Sequence, residues 1–162
     1  MTEQLILESK SREERYRELY PQLRALLSVE TDRIANLANM AAALRQTFGF
    51  FWVGFYLVSE RELVLGPFQG DIACTRIPYG RGVCGDAWAQ GQTLVVPDVE
   101  SYPGHIACSS LSRSEVVVPI YDRSGEIMGV LDIDSQEVGD FSEELDRPWL
   151  ELYVGLLAPL FP

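Results

Sequence analysis

Two short polar turns, Ser59-Glu60-Arg61-Glu62 and Asp122-Arg123-Ser124-Gly125, each separate a pair of apolar runs rich in aromatic and β-branched residues. Runs joined so tightly have to lie antiparallel. The first pair is 52–58 with 63–68, and the second is 115–121 with 126–134. Helical periods flank them. Tyr16, Tyr20, Leu23 and Leu27 recur at three- and four-residue spacing among Glu13, Glu14, Arg17 and Glu18, with Pro21 expected to kink or divide that helix. A second helix is predicted from an N-cap at Thr31 through Ile34, Leu37, Ala41, Leu44 and Phe48 to Gly49. Between the hairpins, 70–82 reads as loop, 85–90 as a short helix, 93–96 as a brief strand and 101–112 as a long connection. A last helix is predicted from a cap at Asp140 or Ser142, with Glu143 in a capping box and Pro148 in its first turns, through Trp149, Leu150, Tyr153 and Leu157. The expected architecture is α+β, an antiparallel sheet with helices packed on one face. One domain is expected over 1–162, made of N-terminal helices in 1–48, sheet and active-site loops in 50–135 and a C-terminal helix in 140–160.

Charge and hydropathy exclude several classes of function. The net charge of −11 repels phosphate backbones and anionic lipid, and the thirteen Lys and Arg residues are scattered, so neither nucleic acid nor a membrane is an expected partner. Much of that acidity serves solubility. No apolar run approaches the ~18–20 residues of a membrane helix. The first ten residues mix Glu3, Glu8 and Lys10 among apolar ones and lack the core of a secretion signal, so the expected location is cytoplasmic. Three cysteines are too few for a disulfide scaffold, which leaves inert, metal-binding or catalytic thiols.

The run 127–134 alternates so that Leu131 and Ile133 face one side while Asp132 and Asp134 face the other. A four-residue turn at 122–125 sets Glu115 opposite Asp132, and a two-residue turn at Ser124-Gly125 sets it opposite Asp134. An odd loop length breaks this parity. Carboxylates stacked across a ladder destabilise it and raise at least one pKa, so they either sit on a solvated edge or hold a cation or a catalytic proton. A divalent metal on Glu115, Asp132 and Asp134 is one such reading.

On the first strand Val53, Phe55 and Leu57 have the character of core, while Trp52, Gly54 and Tyr56 suit either buried packing or the wall of a small pocket. Cys74, Cys84 and Cys108 all fall in predicted loops, where a thiol is accessible enough to react. His105, the single histidine, lies three residues from Cys108 and either assists it or is incidental. Three thiols and an imidazole also match a zinc site in ligand type, although no Cys-x-x-Cys spacing is present.

The ordered strings Ile34-Ala35-Asn36-Leu37-Ala38-Asn39, Trp52-Val53-Gly54-Phe55-Tyr56, Leu65-Gly66-Pro67-Phe68-Gln69-Gly70, Gly80-Arg81-Gly82-Val83-Cys84-Gly85 and Val130-Leu131-Asp132-Ile133-Asp134-Ser135 closely resemble the GAF-domain enzymes that reduce free methionine-(R)-sulfoxide. The likeness spans nearly the whole chain, with cysteines ten and then twenty-four residues apart. It implies a GAF-like fold, no cofactor and no metal. It also implies that Cys108 is the nucleophile, attacking the sulfoxide sulfur and becoming a sulfenic acid. Cys74 matches the partner that condenses with it, Cys84 is an alternative resolver or relay, and a thioredoxin-type dithiol resets the disulfide. By the same resemblance one of Glu115, Asp132 and Asp134 donates a proton to the departing oxygen, the others grip the substrate ammonium, and Trp52 and Tyr56 enclose the thioether end. A homodimer is in keeping with it. The competing expectation is a GAF sensor module that binds a small ligand without chemistry; such modules are usually joined to an output domain, for which this chain has no room.

Overall fold

The computed structural model describes residues 4–8 and 11–162. Helix α1 (Arg12–Ser28) begins where Ser11 Oγ accepts a hydrogen bond from the Glu14 N–H. It runs undivided through Pro21, because Tyr16 and Leu19 before the proline and Leu23 and Leu27 after it belong to one buried stripe. Packing of that stripe outweighs the loss of a single N–H donor. Helix α2 (Arg33–Phe48) is capped by Asp32, whose side chain accepts from the Ala35 N–H, and not by Thr31, whose own N–H is held by Glu30. Ile34 consequently falls outside the apolar stripe, 68% exposed, while Leu37, Met40, Ala41 and Leu44 are buried. Gly49 closes the helix in the left-handed conformation, as its position predicts (φ 69°).

Six antiparallel strands follow: β1 (Trp52–Ser59), β2 (Glu62–Gln69), β3 (Arg76–Pro78), β4 (Leu94–Val96), β5 (Ser114–Tyr121) and β6 (Ile127–Ser135), in the spatial order β3-β2-β1-β6-β5-β4. Both predicted hairpins are present, and β1 pairs with β6, so each hairpin contributes one central strand. The short helix α3 (Gly82–Gln90) lies between β3 and β4.

Period-two alternation divides the sheet into an inner and an outer face. Val53, Phe55, Val116, Val118, Ile120, Leu131 and Ile133 pack in one core with α1, α2 and α4 (Asp146–Gly155). The three long helices therefore share one sheet face, as expected, while α3 sits on the other with Trp52, Tyr56, Val117 and Val130.

The C-terminal helix starts later than a cap at Asp140 or Ser142 predicts. Asp140 is turned to Arg12, whose Nη2 lies 2.8 Å from its Oδ1, and Ser142 donates its N–H to Asp146 Oδ2 at 2.9 Å. The first residue of α4 thus closes the preceding turn, and Pro148 falls in the first helical turn, where its missing N–H costs no hydrogen bond.

Candidate functional site

The β5–β6 register decides how the acids meet. Five residues, 122–126, connect Tyr121 to Ile127, an odd length that taken alone moves every following side chain to the wrong face. A register shift between Ile120 and Tyr121 restores the parity, and the ladder then pairs Ile120 with Gly129, Val117 with Asp132 and Glu115 with Asp134. Glu115 and Asp134 stand directly opposite each other on adjacent strands. Asp132 pairs on its other side with Gly54 of β1, and Asp134 with Trp52, so the acids and the aromatic wall share one patch of sheet.

That wall depends on a missing side chain. A Cβ on Gly54 would lie 2.3 Å from Phe68 Cβ and 2.6 Å from the Trp52 ring, a space that only glycine leaves open. Trp52 stacks on Phe68 with ring centroids 5.3 Å apart and on Tyr56 at 6.0 Å. Its indole N–H donates to the Asp71 carbonyl, and the Tyr56 hydroxyl donates to the Cys74 carbonyl at 2.9 Å. Two aromatic side chains of β1 thereby tether the loop that carries the first cysteine.

The cysteines separate into two kinds. Cys74 and Cys108, from loops 34 residues apart in sequence, are joined in a disulfide with Cα atoms 5.3 Å apart. Cys84 is a free buried thiol, and it lies in helix α3 and not in a loop. The helix starts earlier than composition indicates because Gly82, at φ 63°, lets the chain turn beneath Ile106 where a Cβ would press on that side chain. Cys84 Sγ reaches Glu115 Oε2 at 4.0 Å. A zinc site of three thiols and a histidine is not formed, since two of the sulfurs are bonded to each other.

All of these groups line one cavity of about 570 Å³, counting its open mouth: Trp52 and Tyr56 on a wall, Cys84, Glu115, Asp132 and Asp134 on the floor, Cys108 and His105 toward the long connection. The structure thus brings seven of the eight predicted site residues into one hollow, and the eighth, Cys74, is bonded to Cys108 at its edge. Asp71, Arg81, Ile106, Ser109 and Ser112 also line it without having been singled out by sequence. Arg81 belongs to one of the strings that carry the family resemblance, and the glycine and hydroxyl content of the connection at 101–112 marked Ile106, Ser109 and Ser112 only as loop residues.

Burial controls the electrostatics. It pushes Glu115 up to about 8, with the Asp134 charge adding to the rise and a hydrogen bond from Asp132 opposing it. Asp132 is raised well above the usual carboxylate range by burial and by Glu115, and Asp134 by burial and by Asp132. Burial, then the Asp132 charge, raises the Cys84 thiol, which keeps its proton. His105, with Nε2 3.6 Å from Glu115 Oε1, is lowered by burial. Asp132 Oδ1 is buried with no hydrogen-bond partner among the described residues. Neutral acids beside a thiol, under an aromatic wall, make a site that can accept a cationic group and release a proton.

A GAF-domain family model matches residues 31–160. The chain belongs to the GAF-domain family. GAF domain-containing protein A of Dictyostelium discoideum is 58% identical over 97% of this chain and 99% of its own length. The free methionine-R-sulfoxide reductase of Escherichia coli is 47% identical over 87% of this chain and 86% of its own. Among solved structures, the free methionine-R-sulfoxide reductase of Neisseria meningitidis in complex with its substrate superposes with a TM-score of 0.95 at 52% identity, covering 99% of this chain and 96% of that one. This GAF domain is therefore similar over nearly its full length to reductases of a free amino-acid sulfoxide. Among the described residues of the GAF chain no helix is long and apolar enough to cross a membrane.

Proposed function

We propose that the chain reduces free methionine-(R)-sulfoxide to methionine, with Cys108 as nucleophile, Cys74 as resolving thiol and a thioredoxin-type dithiol as the final reductant. The observation that carries this reading is the Cys74–Cys108 disulfide at the edge of a cavity floored by Glu115, Asp132 and Asp134. In the first step the Cys108 sulfur attacks the sulfoxide sulfur as the sulfoxide oxygen takes up a proton. Oxygen passes to Cys108 as a sulfenic acid and methionine, now reduced by two electrons, departs. In the second step the Cys74 thiol attacks that sulfenic sulfur, a disulfide forms and water leaves. Thiol–disulfide exchange then returns both sulfurs to thiols and oxidises the external dithiol.

Glu115 is suited to supply the first proton, because at neutral pH it keeps the proton that an ordinary carboxylic acid loses. The ammonium of a free amino acid finds its counter-charge at Asp132 and Asp134, where entry of a cation favours their ionised forms. Trp52 and Tyr56 offer flat apolar faces to the methyl and thioether carbons. A peptide-bound residue has no ammonium at its Cα, so it forfeits that pairing. An assay of the free R and S epimers beside a peptide-bound sulfoxide, with thioredoxin or dithiothreitol, tests the proposal. Turnover of the free R epimer alone is expected, and a GAF sensor without chemistry gives no methionine from any of the three.

A further inference from the structure

On the floor of the cavity the proposed reduction leaves the buried Cys84 thiol without a role. Cys84 Sγ and one oxygen each of Glu115 and Asp132 all lie within 4.8 Å of one another, and all three residues are buried. Asp132 Oδ1 is fully buried without a hydrogen-bond partner among the described residues, although a buried carboxylate oxygen is costly to leave unpaired. His105 Nε2 stands 3.6 Å from Glu115 Oε1, outside that group of three.

We propose that Cys84, Glu115 and Asp132 form a binding site for a borderline divalent cation, Zn2+ above all, with a fourth position left to water. Ligand type selects the ion: a thiolate does not suit the oxygen-only preferences of Mg2+ and Ca2+, and with two carboxylates it supplies three ligands of a tetrahedral site. A tetrahedral ion with zinc–sulfur and zinc–oxygen bonds of about 2.3 and 2.1 Å holds those two ligands within about 3.6 Å of each other, a little less than the 4.0 Å between Cys84 Sγ and Glu115 Oε2. Small side-chain rotations draw the observed group inside that limit. The net charge of −11 draws cations toward the mouth. Occupied, the site fills the ground that the substrate ammonium would take, so metal and free amino acid exclude one another. That exclusion rests on the proposed reductase reading; the metal site does not.

The test uses the full chain with its Cys74–Cys108 disulfide intact, in which Cys84 is the sole free thiol. Titration with Co2+ alone should give one ion per chain with a thiolate-to-cobalt charge-transfer band in the near ultraviolet, and Zn2+ should displace it. Cys84→Ser should abolish the band, and Glu115→Gln and Asp132→Asn should each raise the Kd for Zn2+ at least tenfold. Circular dichroism checks that each variant folds; if Cys84→Ser does not, the band of the unaltered protein decides. Absence of saturable binding, or bound Co2+ with no thiolate band, overturns the site. Added free methionine sulfoxide should raise the apparent Kd for Co2+, and simultaneous binding without mutual weakening overturns the exclusion. Metal binding by a protein that reduces no sulfoxide leaves the site standing and removes the function; reduction without metal binding does the reverse.

Discussion

Glu115 combines a fold cost with a proposed chemical use. In the folded chain it holds its proton up to about 8, whereas its ordinary value is 4.5, so between those limits the folded state binds more protons than the unfolded one. Its contribution to stability therefore falls as pH rises through that window and is fully lost above it. Glu115→Gln should remove this decline, leaving the variant more stable than the parent at pH 9 by about 5 kcal/mol and nearly equal to it at pH 4. Thermal melts at the two pH values check it. The same substitution should lower kcat/KM by about 10²–10⁴-fold if Glu115 is the proton donor, and the parent's activity should fall as pH rises through about 8. Alternation along 127–134 made Asp132 and Asp134 legible in the sequence, and counting back across the turn brought in Glu115. The odd connection and its compensating register shift were not, because a bulge leaves no compositional mark. The partner of His105 was also hidden, since spacing related it to Cys108 and the structure sets its Nε2 beside Glu115.

At the scale of elements, the aromatic wall is one strand, β1, whose outward positions alternate Trp52, Gly54 and Tyr56. Gly54→Ala puts a methyl carbon 2.3 Å from Phe68 Cβ and 2.6 Å from the Trp52 ring, so the stack has to shift. The expected cost is about 1–3 kcal/mol in chemical denaturation, with a raised KM as the ring leaves the cavity wall. Unchanged stability and KM would mean that the stack has slack the distances do not allow. Strong periodicity made α1, α2 and both hairpins readable. It could not report β3, three residues at a sheet edge, nor the true start of α3, where Gly82 and its contact with Ile106 decide. The misplaced start of α3 is why Cys84 reads as a loop thiol in sequence and is a buried one in the fold.

Over the whole molecule, a clasp joins the first helix to the last. Asp146 accepts from Tyr16 Oη at 2.6 Å and faces Arg12 Nη1 at 3.3 Å, a pairing 134 residues apart in sequence that periodicity cannot identify. Asp146→Ala should strip a buried set of donors of their acceptor and cost about 3–5 kcal/mol, read as a lower Tm, with kcat of the folded fraction unchanged because the clasp lies on the helical side of the sheet. The opposite side carries the proposed chemistry, and there all three cysteines converge although they are ten and twenty-four residues apart. The most direct measurement of the account is a single turnover: fully reduced protein, excess free methionine-(R)-sulfoxide and no external reductant, followed by quantitation of methionine and mass spectrometry of the disulfide. One methionine per chain with a Cys74–Cys108 bond is expected, and Cys74→Ser should release the same single methionine while leaving Cys108 as a sulfenic acid. Methionine formed with both of those thiols still free, or release undiminished in Cys108→Ser, would contradict it.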